Sequence, residues 1–239
     1  MIATIHQPEH MPWLGFFHKI SIADTFVILD NTQYRRRYFQ NRNKIRTKKG
    51  WQWLTVPLEK EERDTLEIRK ARIYRADNRW AEKNLRSVYL NYSKAEFFSD
   101  IWDEFRKIYG NDSYELLLEM NMSLINYFLE KFALFKNIIY ASSLKVKGRK
   151  GDLILNILKE IGADTYVSGV SGRDYLDMGG FEKNNINVVT QEFHHPVYKQ
   201  VYEPFIPCIS TIDLLFNYGP GSKGILEGRG VSVLEDIFL

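Results

Sequence analysis

Apolar residues come in short unbroken runs near both ends of the chain and at three- and four-residue spacing through its middle. Residues 1–5 and 25–30, the latter carrying Phe26, Val27, Ile28 and Leu29, read as strands buried on both faces, with a helix over 12–23 between them. That is a βαβ opening, the unit from which parallel sheets are built. Residues 51–58 alternate like a half-buried strand and are expected to pair with 66–73 in a hairpin. Helical spacing then holds over 79–92, 94–109 and 113–132, with Asp112 ahead of Ser113-Tyr114-Glu115 as the expected cap of the third helix. Beyond it, strands at 137–141, 164–168 and 187–190 frame a helix over 151–161 that Gly162 closes. The pattern predicts an α/β fold, a mostly parallel sheet with helices on both faces, in one domain over 1–239. A flap at about 31–75 and a helical insertion at about 78–134 interrupt it.

Composition narrows the setting. No stretch of about 18 apolar residues occurs, and Met1-Ile2-Ala3-Thr4-Ile5 runs straight into His6-Gln7-Pro8-Glu9-His10, so neither a membrane span nor a secretory signal is expected. The single cysteine, Cys208, leaves no internal disulfide and no zinc site built on several thiolates, and a cytoplasmic location fits best. The formal net charge of +3 is too small to demand a nucleic-acid partner, but its distribution is uneven. From Asn31 to Leu58 there is no acidic residue, while Arg35, Arg36, Arg37, Arg42, Lys44, Arg46, Lys48 and Lys49 alternate with Tyr34, Tyr38, Phe39, Trp51 and Trp53. Such a segment attracts the phosphates of a nucleotide, a nucleotide sugar or an RNA backbone. A solvated basic face accounts for it equally well.

The five histidines fall in two groups, His6, His10 and His18 near the first strand and His194-His195 near the last. In open α/β sheets ligands bind beyond the carboxyl ends of the strands. His6, Gln7 and His10 are expected there, beside Asp30 after the second strand and the turn Ser168-Gly169-Val170-Ser171 after a later one. Each has an architectural alternative: a locally satisfied loop histidine, a turn cap for Asp30, and a plain serine-capped turn for 168–171. His18, inside the helix, reads as a packing or capping residue. Pro196 restrains His195 to an extended backbone, so His194 and His195 should project to opposite sides, with His195 favoured slightly as the one that enters a cleft.

The opening, His6-Gln7-Pro8-Glu9-His10 followed by Pro12-Trp13-Leu14-Gly15, resembles that of nucleotidylyltransferases and pantothenate synthetase, whose strand-to-helix turn holds ATP phosphates through an H-x-G-H motif. His10 matches the first histidine, and Pro12-Trp13 stands where the Gly-His half would be; Ser210-Thr211 resembles the helix start that closes such sites, or simply caps the last helix. A longer resemblance covers essentially the whole chain. It rests on His6-Gln7-Pro8, on Pro12-Trp13-Leu14-Gly15, and on Asp30-Asn31-Thr32-Gln33-Tyr34 with Asn41-Arg42-Asn43 and Trp53-Leu54-Thr55-Val56-Pro57. Later blocks are 162–169, Phe193-His194-His195-Pro196-Val197-Tyr198 with Gln200, and 210–219. On these blocks the chain is similar to the WbqC-like family of bacterial O-antigen and surface-polysaccharide gene clusters. The resemblance implies a glycine or aminoacyl transferase acting on the amine of a 4-amino-4,6-dideoxy sugar.

Acylating a sugar amine needs a base, donors for an oxyanion and cations for nucleotide phosphates. The residues offered are His195, or else His194, as base, with His6 and Asp30 in supporting catalytic roles. Gln33 and Asn41 serve as neutral donors, Arg42 with Lys44 as a phosphate clamp, and Gln7, His10, Tyr34, Ser168, Ser171, Tyr198 and Ser210 as further substrate contacts. The partners implied are a nucleotide-linked amino sugar and an activated acyl or aminoacyl donor. An ATP-dependent amide ligase, which would need ATP with Mg²⁺, is the nearest competing reading. A non-catalytic nucleotide- or tRNA-binding module is the second, and a metal hydrolase ranks last because no H-E-x-x-H spacing exists.

Overall fold

The computed structural model describes residues 1–59, 66–77, 79–170, 172, 176–230 and 232–234. In chain order its strands are β1 (Ile2–His6), β2 (Thr25–Ile28), β3 (Arg42–Thr47), β4 (Gly50–Thr55), β5 (Asn137–Tyr140), β6 (Thr165–Ser168), β7 (Asn187–Thr190), β8 (His195–Val197) and β9 (Ser232–Leu234). Its helices are α1 (Leu14–Ser21), α2 (Arg79–Tyr92), α3 (Phe98–Tyr109), α4 (Leu117–Lys131), α5 (Lys150–Glu160), α6 (Met178–Lys183), α7 (Ile212–Tyr218) and α8 (Ser222–Leu226). The chain folds into two compact units, one of residues 1–7, 18–32 and 134–193, the other of 8–17, 33–133 and 194–239.

The first unit is the α/β part. Its five strands pair in parallel in the order β5-β2-β1-β6-β7. Residues Ala3, Thr4 and Ile5 and all of β2 are buried, as expected of inner parallel strands covered on both sides. Ala3, Ile5, Val27 and Tyr166 pack on one face with Ile154, Ile157 and Leu158 of α5 and Phe181 of α6. Lys19 of α1 donates its ammonium to the Ile5 carbonyl at 3.2 Å. Gly162, at φ +68°, takes the left-handed conformation that ends α5. The succession β1, β2, β5 runs outward to one side of β1, and β6, β7 to the other, so the strand order reverses between β1 and β6. Their carboxyl ends, at His6 and Ser168, meet at that reversal. The short α6 has no counterpart in the hydrophobic pattern, because Met-Gly-Gly-Phe-Glu-Lys holds too few apolar positions to show a period.

The second unit holds the β3–β4 hairpin, α2, α3, α4, α7 and α8, and the antiparallel β8–β9 pair. Aromatic rings hold its core. Phe216 of α7 packs on Tyr92 of α2 and on Phe98 and Phe105 of α3, with centroids 5.0–6.0 Å apart. Two expectations change here. The strand at 50–55 pairs with Arg42–Thr47 and not with 66–73. Asn43, Ile45 and Leu54 point inward and Arg42, Lys44 and Trp53 outward, an alternation hidden in the sequence by the density of basic residues. The 66–73 segment instead makes a 3-10 turn at Ile68–Lys70 and the single bridges Gln33↔Glu67, Leu58↔Ile73 and Arg72↔Leu116. Helix α4 begins at Leu117, four residues after the expected start, because Glu119 Oε2 accepts the Glu115 and Leu116 amides at 3.0 Å each.

Candidate functional site

At the carboxyl edge of the sheet, His6 ends β1 and donates its Nδ1–H to the Gln7 carbonyl at 2.9 Å. Burial, then the Lys19 charge, lowers its pKa to about 3 against the opposing pull of the Gln7 carbonyl, so it is neutral at neutral pH. Gln7 donates Nε2–H to Thr32 Oγ1 at 2.9 Å. Asp30 is 1% exposed and both its oxygens are engaged, Oδ1 by the Ser142 amide at 2.9 Å and Oδ2 by the Ser142 hydroxyl at 2.6 Å. That carboxylate clamps the turn after β5. Ser168, 2% exposed, donates its hydroxyl to the Gly169 carbonyl at 3.0 Å. Ser171 lies outside the described residues. His18 takes part in a 3.0 Å hydrogen bond with Gln191 and packs on Phe193, as a packing residue should.

His10 belongs to the second unit and to its core. It is fully buried; its Nδ1–H donates to Asn121 Oδ1 at 3.0 Å and its Nε2 accepts the Tyr109 hydroxyl at 3.3 Å. The tautomer follows from its partners: the Asn121 amide donates to the Pro8 and Gln40 carbonyls, so its oxygen faces the ring, and Tyr109 accepts from Asn84. Every group in this chain is satisfied, and the pKa of His10 is lowered to about 4 by burial. The expected substrate contact of His10 is therefore replaced by a structural role.

The basic segment forms a cleft of about 160 Å³ lined by Tyr34, Arg36, Arg37, Asn41, Arg42 and, on its far wall, Thr55 with Leu58. Asn41 is fixed by a 2.8 Å hydrogen bond from its Nδ2 to the Val56 carbonyl, and Tyr34 is buried. Gln33 is exposed beside it and bridges Glu67. The Arg42 guanidinium donates to the Arg37 carbonyl and lies 4.1 Å over the Trp53 ring, which leaves its Nε buried without a hydrogen-bond acceptor. Lys44 sits over Trp51 and Trp53, 4.9 and 5.5 Å from their centroids. Among the described residues no carboxylate forms a salt bridge with Arg36, Arg37, Arg42 or Lys44. Three cations around one small cleft repel one another, an arrangement that an anion would relieve.

The His194-His195 pair divides as extended backbone requires, with His194 exposed and His195 1% exposed. The side expected to carry His195 into an open cleft is instead packed. Trp13, Tyr198 and Phe205 surround its ring, Nδ1–H donates to the Pro196 carbonyl at 2.8 Å, and Nε2 accepts the Cys208 amide at 3.2 Å. Burial lowers its pKa to about 4. Trp13 is held flat over Gly15, where a Cβ would lie 2.3 Å from the indole. Ser210, fully buried, ties this region to the hairpin through its amide, which donates to the Lys44 carbonyl at 2.8 Å, and its hydroxyl accepts the Ile212 amide at 3.4 Å.

Sequence reasoning passed over the two buried charges beneath this wall. Arg46, 1% exposed, donates to the carbonyls of Thr47, Gly50, Tyr202 and Pro204. Asp213, fully buried, accepts Gln200 Nε2–H at 3.0 Å. Burial raises the pKa of Asp213 to about 6, while the Tyr198, Tyr92 and Gln200 hydrogen bonds and the Arg46 charge pull it back down. An acidic residue set in the apolar run Ile212-Asp213-Leu214-Leu215-Phe216 was the available signal. Among the described residues no three His, Cys, Asp or Glu side chains gather as a metal-ligand set.

These groups make acid stability a testable property. His10 and His195 have folded pKa values near 4 against 6.5 unfolded, so their contribution is complete above about pH 6.5 and is lost as pH falls toward 4. His6 acts in the same direction. Asp213, raised to about 6, acts oppositely and offsets one histidine between about pH 6 and 4. A net loss of at least about 1.4 kcal/mol per pH unit is expected below pH 6. Urea unfolding at pH 7.5, 6 and 5 measures it; a flat profile contradicts the buried neutral histidines.

The structure is that of an α/β protein whose second, helix-rich unit carries an arginine-lined cleft. The chain belongs to the WbqC-like protein family, whose sequence profile matches residues 7–224. It is 33% identical over 225 residues to uncharacterized protein Rv1507c of Mycobacterium tuberculosis (strain ATCC 25618 / H37Rv), an alignment that covers 94% of this chain and 96% of that one. No solved structure matches it. Among the described residues no helix is long and apolar enough to cross a membrane.

Proposed function

We propose that the protein is a transferase of bacterial surface-polysaccharide (O-antigen) biosynthesis that acylates the amino group of a nucleotide-linked amino sugar. The observation that carries this reading is the cleft of Arg36, Arg37 and Arg42, free of carboxylates among the described residues and flanked by aromatic rings. Its charge and size suit a diphosphate, and Asn41 and Tyr34 supply polar and aromatic lining. In the reaction the sugar ammonium loses a proton to a base, and the amine forms a C–N bond to the acyl carbon. The bond from that carbon to the donor's leaving heteroatom breaks, and the leaving group carries off the electron pair. His195 has both ring nitrogens engaged, so the base role passes to the exposed His194, next to it in the chain.

Arg42→Ala is expected to weaken nucleotide-sugar binding about ten- to hundredfold, the cost of one lost charge-assisted contact, without lowering the melting temperature by more than a degree or two. Transfer itself is tested with a 4-amino-4,6-dideoxy sugar nucleotide and a panel of activated acyl and aminoacyl donors, read by mass spectrometry. An amide product supports the assignment, and none with any donor overturns it. ATP–pyrophosphate exchange dependent on glycine would move the protein to the amide ligases.

A further inference from the structure

The hairpin beside the cleft carries more aromatic surface than a phosphate clamp requires. Lys44 pairs with Trp53 and Arg46 with Trp51 across the β3–β4 ladder, so both indoles stand on the outward face with Arg42 and Lys44. The rings of Tyr38, Phe39, Trp53 and Trp51 follow one another with centroids 5.5–5.8 Å apart, each pair tilted or edge to face at 54–78°. In such contacts the edge of one ring meets the face of the next. Only the two ends of the row keep much of their surface in water, Trp51 at 46% exposed and Tyr38 at 43%, and Arg35 lies over Tyr38. The Lys44 ammonium lies over one face of Trp51, 4.9 Å from its centroid, so a flat group would stack on the opposite face with that cation behind the ring.

Thr55 lines the cleft, and Trp51 lies four residues back along the same strand, about 14 Å away at the rise of an antiparallel strand. Arg42 pairs with Thr55 and shares a face of the hairpin with Trp51, so the guanidinium and the indole shorten the span that a nucleoside diphosphate has to bridge. We propose that Trp51 stacks on the base of a nucleoside diphosphate whose phosphates occupy the Arg36–Arg37–Arg42 cleft. This rests on the phosphate reading of the cleft and adds the base-recognition element. A single strand of RNA would need several open ring faces in succession, whereas the two exposed rings of this row stand at its opposite ends, which favours a mononucleotide.

Calorimetric titration with UDP, ADP and inorganic pyrophosphate tests the two readings separately. Trp51→Ala should weaken UDP and ADP about tenfold and leave pyrophosphate unchanged, while Trp51→Phe restores nucleotide affinity. Arg42→Ala should weaken all three. Equal losses for nucleotides and pyrophosphate in Trp51→Ala overturn the stacking role, as does wild-type affinity for UDP and ADP no better than for pyrophosphate. An Arg42→Ala variant that binds pyrophosphate like wild type overturns the cleft itself. A single-stranded oligonucleotide that binds more tightly than either mononucleotide overturns the choice of ligand class. The Trp51 side chain is half in solvent, and an unchanged melting temperature checks that its variants fold.

Discussion

His194→Ala is expected to slow acyl transfer about a hundred- to ten-thousandfold with little change in unfolding free energy, while His195→Ala lowers stability by about 3 kcal/mol or more. The two neighbours differ because extended backbone sends them to opposite sides. His194 is exposed; His195 is enclosed by three aromatic rings and holds the Cys208 amide on the only ring nitrogen able to accept a proton. Loss of His195 opens a cavity under Trp13 and leaves the Cys208 amide unpaired. A transfer assay beside urea unfolding separates the effects. Full turnover in folded His194→Ala removes that histidine from the chemistry, and a fully stable His195→Ala contradicts the packing role.

Arg46→Met should cost about 3–5 kcal/mol of unfolding free energy, the largest stability effect expected of one substitution here. Four carbonyls lose their donor, and Asp213 is left as a buried carboxylate without its countercharge. Two further outcomes identify the cause. The penalty should shrink at pH 5, where Asp213, with a pKa about 6, is protonated, and the double variant Arg46→Met/Asp213→Asn should recover part of it because the stranded charge is gone. A penalty that does not respond to pH or to the second substitution would mean that the carbonyls, not the charge pair, dominate.

The parallel sheet was legible because its strands are short apolar runs that alternate with helices. The anion cleft was legible in part, since a stretch of chain rich in arginine and lacking acids states its charge directly. What the sequence could not state was which basic residues face water. Arg42 and Arg46 look alike in it, but one lines a cleft and the other is sealed under the 202–204 segment, more than 150 residues away in the chain. His10 read as a ligand at a strand end because the residues that bury and satisfy it, Asn121 and Tyr109, lie 111 and 99 positions away. Asp30 was ambiguous for the same reason: Ser142, which engages both its oxygens, is 112 residues on. Pro196, by contrast, gave a local rule that assigned opposite sides to His194 and His195 before either partner was known.

Arg36, Arg37 and Arg42 are proposed to hold the diphosphate of a nucleotide-linked sugar. Titrating such a sugar nucleotide into wild type and Arg42→Ala at low and physiological salt tests it most directly. Wild-type affinity is expected to fall as salt rises, and the variant to bind ten- to hundredfold more weakly while keeping its melting temperature. Binding that is the same in both proteins, or that does not respond to salt, would contradict it.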